Sequence, residues 1–214
     1  MSTVPEEGLA FPADPRVSSW NIANYLTVLR LALVPVFGWL LLYGDPDETG
    51  PGWRVAAAVV FGVAAYTDRL DGQLARNRNL VTPFGKLADP IADKALTGTA
   101  FVGLSLLGEL PWLVTGVVLV REVGVTLLRF WVIRHGVIPA SRGGKLKTLL
   151  QGLAIALYVL PLSGLLASGR AVVMALAVVV TVVTGLDYVA RALVLRRTSA
   201  RAHMKRARKA ARRS

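Results

Sequence analysis

Six apolar segments alternate with short polar segments along most of the chain. They cover about residues 24–43, 53–75, 89–107, 111–133, 146–167 and 171–195. Each is close to the roughly 20 residues that an α-helix needs to cross a bilayer. The pattern therefore predicts an all-α integral membrane protein with six transmembrane helices. Just before them, residues 16–23 place Val17, Trp20 and Ile22 among polar neighbours, which predicts a short N-terminal helix lying in the membrane interface.

Charged residues in the connections predict the orientation of these helices. The 43–53 connection is acidic, and the 108–110 turn carries only Glu109. The 76–88 and 134–147 connections are basic, as is the tail at 196–214, where nine Lys or Arg lie. Because cytoplasmic segments are enriched in Lys and Arg, we expect a multi-pass protein with both termini and the 76–88 connection in the cytoplasm.

The composition agrees with a membrane protein. Hydrophobic residues make up 54% of the 214, which is more than a soluble domain of this length carries. The net charge of +12 comes largely from the tail, and it favours contact with anionic membrane lipids, with no nucleic-acid partner. The absence of cysteine excludes disulfides and thiolate metal sites. We predict a flexible arm at 1–15, one membrane domain at 16–195 and a basic cytoplasmic tail at 196–214.

Four aspartates interrupt the apolar pattern where the second span ends and the third begins. Asp68 and Asp71 are spaced i, i+3, and Asp89 and Asp93 are spaced i, i+4, so each pair shares a helix face. An antiparallel hairpin would bring all four to one depth, where carboxylates without compensation repel. Hard divalent cations such as Mg²⁺, Mn²⁺ or Ca²⁺ are the simplest compensation. Such cations at a membrane surface indicate phosphate or diphosphate chemistry.

Other interpretations of these acids remain open at this point. Asp89 before Pro90 is also typical of a helix N-cap followed by a first-turn proline. Asp68 could pair with Arg69 or Arg76 at the interface. A divalent-cation transporter would also hold acids in the membrane, but transport favours acids near the midplane on several helices, whereas these cluster at one cytoplasmic rim.

The spacing Asp68-x2-Asp71-Gly72-x2-Ala75-Arg76-x8-Gly85-x3-Asp89-x3-Asp93 resembles the signature of the CDP-alcohol phosphotransferase family at every fixed position. The resemblance implies a six-helix membrane enzyme that transfers a phosphatidyl group from a CDP-linked lipid to an alcohol and releases CMP. It implies two Mg²⁺ or Mn²⁺ ions held by Asp68, Asp71, Asp89 and Asp93, with Asp93 as general base. It further implies a homodimer, and a CDP-lipid pocket formed with Gly72, Ala75, Arg76 and Gly85.

Basic residues of the fourth and fifth spans indicate an anionic acceptor. The candidates for binding its phosphate are Arg121, Arg129, Arg142, Lys145 and Lys147. A neutral alcohol would need less positive charge, so these residues favour glycerol 3-phosphate or inositol phosphate. The structural alternative is ion pairing of a span-four arginine with Glu122 or Asp187. Arg121 and Glu122 are adjacent, so they are not expected to face each other.

A polar stripe in the first span completes the candidate site. Asn24, Thr27 and Arg30 recur at every third position, and with Asp187 they are candidates for polar support, through either interhelical hydrogen bonds or substrate contact. The stripe, Arg121-Glu122, Gly144-Lys145-x-Lys147-Thr148-x2-Gln151 and Asp187-Tyr188 are similar to one bacterial branch of the family. That similarity implies CDP-diacylglycerol and glycerol 3-phosphate as substrates in the bacterial inner membrane. Inositol phosphate and phosphatidylglycerol are the alternative acceptors.

Overall fold

A computed structural model describes residues 22–43, 50–77, 82–132 and 142–198, without the side chains of residues 23, 71–77, 83–87, 142 and 197–198. These ranges contain six α-helices and no strand, so the predicted all-α class is confirmed for them. The helices are α1 (Ile22–Tyr43), α2 (Gly52–Asn77), α3 (Pro83–Leu106), α4 (Trp112–Val132), α5 (Arg142–Val159) and α6 (Gly164–Thr198).

Two of these helices are long and apolar enough to cross a membrane. The qualifying segments are Asn24–Tyr43 in α1 and Gly164–Arg196 in α6. The six-span arrangement therefore stays a prediction. The expected arm at 1–15 lies outside the described residues. So does the expected interfacial helix at 16–23, apart from its last two residues, which begin α1.

The boundary between the fifth and sixth predicted spans was wrong. The fifth span was expected to reach residue 167, but α5 ends at Val159 and α6 already begins at Gly164. Pro161 explains the difference, because a proline cannot continue a helix and the residue before it is disfavoured in the α conformation. The turn expected at 168–170 consequently lies inside α6.

The start of α3 also differs from the prediction. The helix begins at Pro83, six positions before the expected start at Asp89, and Pro90 lies inside it. Asp89 is therefore not an N-cap, and that structural alternative for it is excluded. Pro90 cannot donate a hydrogen bond to the carbonyl four residues earlier, so the helix is locally weakened beside Asp89.

The helices pack as two groups of three, and α2 and α3 of one group contact α4 and α5 of the other. Helix α1 packs against α2 and α3, α6 packs against α4 and α5, and α2 and α3 contact α5. Large buried side chains fill the contacts, including Phe37, Phe61, Phe101 and Ile155. The rings of Phe37 and Phe61 lie 5.5 Å apart between centroids, which ties α1 to α2.

Helix α3 ends in a turn that is formed around Gly108. Gly108 has a φ of 73°, which glycine adopts without steric cost. Its N–H donates to the carbonyl of Ser105, and the N–H of Glu109 donates to that of Leu104. This pair of bonds is a Schellman motif, which satisfies carbonyls that the helix end leaves open.

Glu109 then anchors an ion-pair cluster at this end of the bundle. Its carboxylate lies 2.6 Å from Nη2 of Arg54 and 3.1 Å from Nη1 of Arg170. The buried Arg54 guanidinium also donates to the carbonyls of Tyr158 and Val159, at 2.8 and 3.0 Å. The cluster connects α2, the α3–α4 turn, α5 and α6. Arg54 precedes Asp68 by fourteen residues of helix, about 21 Å, so the cluster is remote from the acidic stretch.

A glycine at the contact between α1 and α3 gives a test of this packing. A Cβ at Gly103 would come 2.6 Å from Cδ2 of Leu41, which is fully buried. We expect Gly103→Ala to lower the melting temperature in detergent by a few degrees, because overpacking costs about 1–3 kcal/mol and outweighs the gain in helix propensity. The matched control is Gly116→Ala on α4, where a Cβ would meet nothing within 4 Å. Equal melting temperatures for the two variants would contradict close packing at Gly103.

Candidate functional site

Two of the four predicted aspartates line one cavity, and Asp89 is not among the described residues that line it. Asp68 on α2 and Asp93 on α3 both line a space of about 420 Å³ between α2, α3 and α5. Asp89 lies one turn before Asp93 on α3, so the two share a helix face. Asp71 belongs to α2, and its side chain lies outside the described residues. The expected meeting of carboxylates from two helices is therefore present for Asp68 and Asp93.

Helix α1 contacts this acidic stretch through its polar stripe. Nη1 of Arg30 lies 2.6 Å from Oδ1 of Asp68, and the Arg30 side chain is completely buried. The hydroxyl of Thr27 donates to Oδ1 of Asp89 at 2.6 Å. The hydroxyl of Thr82, immediately before α3, donates to Oδ1 of Asn24 at 2.8 Å. Of the two expectations for the stripe, interhelical hydrogen bonding is the one these contacts support.

The cavity has a charged end and an apolar wall. Side chains of Arg30, Lys94 and Lys147 line it together with the two aspartates. The apolar wall comes from α2, α3 and α5 and consists of Ala58, Phe61, Ala65, Leu96, Leu149, Leu153, Ile155 and Ala156. Such a space suits an amphiphilic ligand, whose ionic group meets charged side chains while its apolar part lies against hydrocarbon.

Lys147 is the predicted acceptor cation that lines the cavity. Its side chain is 9% exposed, and its ammonium donates to Oε1 of Glu122 on α4. The same carboxylate oxygen lies 3.2 Å from Nη1 of Arg121. The expectation that Arg121 and Glu122 would not meet was wrong, because their long side chains bend toward each other. The structural alternative of an ion pair between Arg121 and Glu122 is present.

Arg121 is also held from α6. Its Nη2 donates to the hydroxyl of Thr184 at 3.3 Å, and a Cβ at Gly185 would come 3.0 Å from its Cγ. The absence of a side chain at Gly185 therefore gives the arginine room between α4 and α6.

The other predicted cations lie elsewhere. Arg129 and Lys145 are exposed and are not among the described residues that line the cavity. Arg142 begins α5, and its side chain lies outside the described residues. Asp187 pairs with the exposed Arg191 one turn later on α6, at 2.9 Å. The structural alternative that paired a span-four arginine with Asp187 is therefore not the observed one, because the described partner of Asp187 is Arg191.

Sequence reasoning missed some charged residues of the site. Glu122, Arg69 and Lys94 line the cavity but were not among the predicted site residues. The available signal for Glu122 was an acid within an apolar span, which is costly in lipid unless a cation faces it. Arg69 and Lys94 each adjoin a predicted aspartate, so their proximity to the site was readable from the sequence.

The donor atoms of the site fit a hard divalent cation. Carboxylate oxygens are the ligands that Mg²⁺ and Mn²⁺ prefer, and Asp68 and Asp93 present them to one cavity. Among the side chains that the structure describes, no three His, Cys, Asp or Glu form a ligand group. A complete ligand set would thus draw on Asp71 or on rearrangement of the others.

Comparisons with known proteins agree with this arrangement. A family model described as CDP-alcohol phosphatidyltransferase matches residues 20–183. A probable phosphatidylglycerophosphate synthase of Mycobacterium tuberculosis (strain CDC 1551 / Oshkosh) is 58% identical over 173 residues, covering 81% of this chain and 82% of that protein. The CDP-diacylglycerol–glycerol-3-phosphate 3-phosphatidyltransferase of Bacillus subtilis is 37% identical over 181 residues, covering 79% and 93%.

A protein of the same name from Rickettsia bellii is 36% identical over 176 residues, covering 78% of this chain and 93% of that protein. The resemblance drawn from the aspartate signature is thereby confirmed, and with it the assignment of the chain as a transferase. Both the family match and the spacing of Asp68, Asp71, Asp89 and Asp93 lead to one conclusion: the chain belongs to the CDP-alcohol phosphatidyltransferase family.

Proposed function

We propose that this protein transfers the phosphatidyl group of CDP-diacylglycerol to glycerol 3-phosphate, giving phosphatidylglycerophosphate and CMP. The observation that carries the proposal is one cavity that joins two aspartates, a buried lysine and an apolar wall. The diphosphate of a CDP-linked lipid would lie near the aspartates, with its acyl chains against the apolar wall. The phosphate of the acceptor would bind the lysine. The names of the bacterial relatives, which state these two substrates, support the choice.

The aspartates would hold divalent cations beside the diphosphate of the donor. We assign Asp68, Asp71, Asp89 and Asp93 to two Mg²⁺ or Mn²⁺ ions, which would neutralise the diphosphate and make CMP a better leaving group. The backbone around Gly72, Ala75, Arg76 and Gly85 is assigned to the CDP part of the lipid. Small residues there allow a ligand to approach the helices closely.

The reaction moves one proton and exchanges one bond. Asp93 accepts the proton of the acceptor hydroxyl, whose oxygen then bonds to the phosphorus that carries diacylglycerol. The bond from that phosphorus to the bridging oxygen of the diphosphate breaks, and CMP leaves with the electron pair. Asp93 is suited to this role because it is exposed to the cavity.

Lys147 would bind the phosphate of the acceptor, assisted by Arg121. The Glu122 carboxylate contacts both cations, and of these two Lys147 is the one among the described residues that line the cavity. An incoming phosphate dianion would share the lysine ammonium with Glu122 through charge-assisted hydrogen bonds. Arg129 and Lys145 would contribute a more distant positive potential, and Arg142 is assigned to the same phosphate site.

We also propose that all six helices cross the bacterial cell membrane, with both termini and the cavity's charged end on the cytoplasmic side. The alternation of basic and acidic connections supports this orientation. A soluble acceptor and a membrane-bound donor would meet at that surface. The basic tail would contact anionic lipids, and the protein would act as a homodimer.

Acceptor exchange tests the proposed reaction. Purified protein with CDP-diacylglycerol and Mg²⁺ should release CMP when glycerol 3-phosphate is added, and should release far less with glycerol, which lacks the phosphate. Parallel reactions with inositol phosphate and with phosphatidylglycerol test the alternative acceptors. CMP release with only one of those two would reject the proposed acceptor and retain the family's reaction.

Asp93→Asn should lower kcat by about 10²- to 10⁴-fold, the usual contribution of a general base. Binding of CDP-diacylglycerol, measured by calorimetry in detergent with Mg²⁺, should change little because Asn preserves the shape and polarity of the side chain. Loss of donor binding together with turnover would instead identify Asp93 mainly as a metal ligand.

Two lysines on α5 allow a matched test of the acceptor site. Lys147→Met should raise the KM for glycerol 3-phosphate by about 10- to 100-fold, as expected when a charged hydrogen bond is lost. Lys145→Met removes the same charge from an exposed position of the same helix and should change that KM far less. The KM for the donor should stay near its original value in both variants. A larger effect at Lys145 than at Lys147 would reverse the assignment.

A further inference from the structure

Helix α1 has a single buried face that changes character along its length. Towards its C-terminal end, this face carries the core residues Phe37 and Leu41. Towards its N-terminal end, it carries Asn24, Thr27 and Arg30, which are 4%, 1% and 0% exposed. Polar side chains this deep in an apolar bundle are costly unless they are hydrogen-bonded. Packing alone therefore does not explain why polar residues occupy these buried positions.

The three polar residues bind three different parts of the acidic stretch. Arg30 contacts Asp68 on α2, Thr27 donates to Asp89 on α3, and Asn24 accepts from Thr82 just before α3. Because Thr27 and Arg30 lie one turn apart on one helix, they fix the two carboxylates relative to each other. No helix other than α1 would need to move for both carboxylates to lose these contacts.

The Thr27 contact has the geometry of an orienting bond. The hydroxyl donates to Oδ1 of Asp89 at 2.6 Å, which restricts the orientations that the carboxylate can adopt on α3. Hydrogen bonds of this kind orient metal-binding side chains, and removing one commonly weakens metal binding about 10- to 100-fold. Thr27 itself is buried, so its hydroxyl acts through Asp89 rather than on a ligand in the cavity.

The Arg30 contact acts through charge. Its guanidinium lies at the cavity and against Asp68, where it offsets the repulsion among carboxylates that converge from α2 and α3. The carboxylates can thus be held together before a divalent cation arrives. Arg30 and Thr27 have complementary effects, one on the charge of the cluster and the other on its orientation.

We propose that Thr27 and Arg30 are positioning residues that hold Asp89 and Asp68 ready for a divalent cation. The inference rests on the proposed function, since that function assigns the cation to these aspartates. Thr27 gives the sharper test because Thr27→Val keeps the shape of the side chain and the charge of the site. Arg30 variants would leave Asp68 without its cation and would affect folding as well.

The experiment measures Mn²⁺ affinity directly. Mn²⁺ is added to purified protein in detergent, and the electron paramagnetic resonance signal reports the concentration of Mn²⁺ that stays unbound. Thr27→Val should bind Mn²⁺ about 10- to 100-fold more weakly than the original protein. Thr27→Ser keeps a hydroxyl at the same position and should restore most of the affinity. These two results together would separate the hydroxyl from the bulk of the side chain.

Thr115→Val is the matched control for loss of a buried interhelical hydrogen bond. Thr115 is 1% exposed like Thr27, and its hydroxyl bonds Ser105 at 2.6 Å and the carbonyl of Phe101 at 3.1 Å. It lies at the opposite end of the bundle, near the α3–α4 turn. We expect Thr115→Val to lower the melting temperature about as much as Thr27→Val does, without changing Mn²⁺ affinity.

The possible contrary results are distinct. Equal Mn²⁺ affinity for Thr27→Val and the original protein would overturn the inference, as would equal weakening by Thr115→Val. Absence of Mn²⁺ binding by the original protein would overturn it too. If the original protein binds Mn²⁺ and Thr27→Val weakens that binding, but no acceptor gives CMP release, the proposed function fails and the positioning role of Thr27 is supported.

Discussion

A charge inside an apolar helical bundle must face a partner, and this requirement organises the whole structure. Asp68 faces Arg30, Glu122 faces both Arg121 and Lys147, and Glu109 faces Arg54 and Arg170. Each carboxylate meets a cation from another helix, so the pairs determine which helices are neighbours at each depth. Replacing one partner would leave a buried charge, which costs far more than the intact pair contributes.

These pairs do different work at the two ends of the bundle. The Arg54 guanidinium contacts Glu109 and donates to two backbone carbonyls of α5, so it connects α2 with α5. At the other end, the side chains of Asp68, Glu122 and Lys147 line a cavity where a ligand can reach them, and the completely buried Arg30 pairs with Asp68. The first arrangement stabilises the fold, and the second leaves charge available for chemistry.

The sequence was informative where a short spacing decides the geometry. The separations of the four aspartates were enough to predict two helix faces and a shared depth, and Asp68 and Asp93 do line one cavity. The stripe on α1 was equally readable, because every third position returns to one side of a helix. Which charged side chains form ion pairs could not be predicted from the sequence, since it depends on how the helices are rotated relative to one another. Lys145 and Lys147 look equivalent in sequence, and only the rotation of α5 directs Lys147 to Glu122.

Two further predictions from the sequence were wrong for physical reasons: the one that adjacent residues do not pair, and the one that placed the ends of two helices. Neighbouring helical residues point about 100° apart, yet arginine and glutamate are long enough for Arg121 and Glu122 to meet. Pro161 ended α5 earlier than the run of hydrophobic residues suggested, while Pro90 was accommodated within α3. Pro90 lies inside a continuous helix, whereas Pro161 follows the end of one. Hydrophobicity alone therefore does not predict which proline ends a helix.

The division of contacts between helices has an evolutionary consequence. Asp68 and Asp89 are held by α1, whereas Lys147 is held by α4, so the acidic stretch and the lysine have separate supports. Substitutions on α4 and α5 can change the charge offered to one ligand without disturbing the carboxylates on α2 and α3. Under the proposed function, a lineage could therefore exchange its alcohol while inheriting its nucleotide chemistry intact. In that sense the bundle is built from two modules that share a cavity and diverge independently.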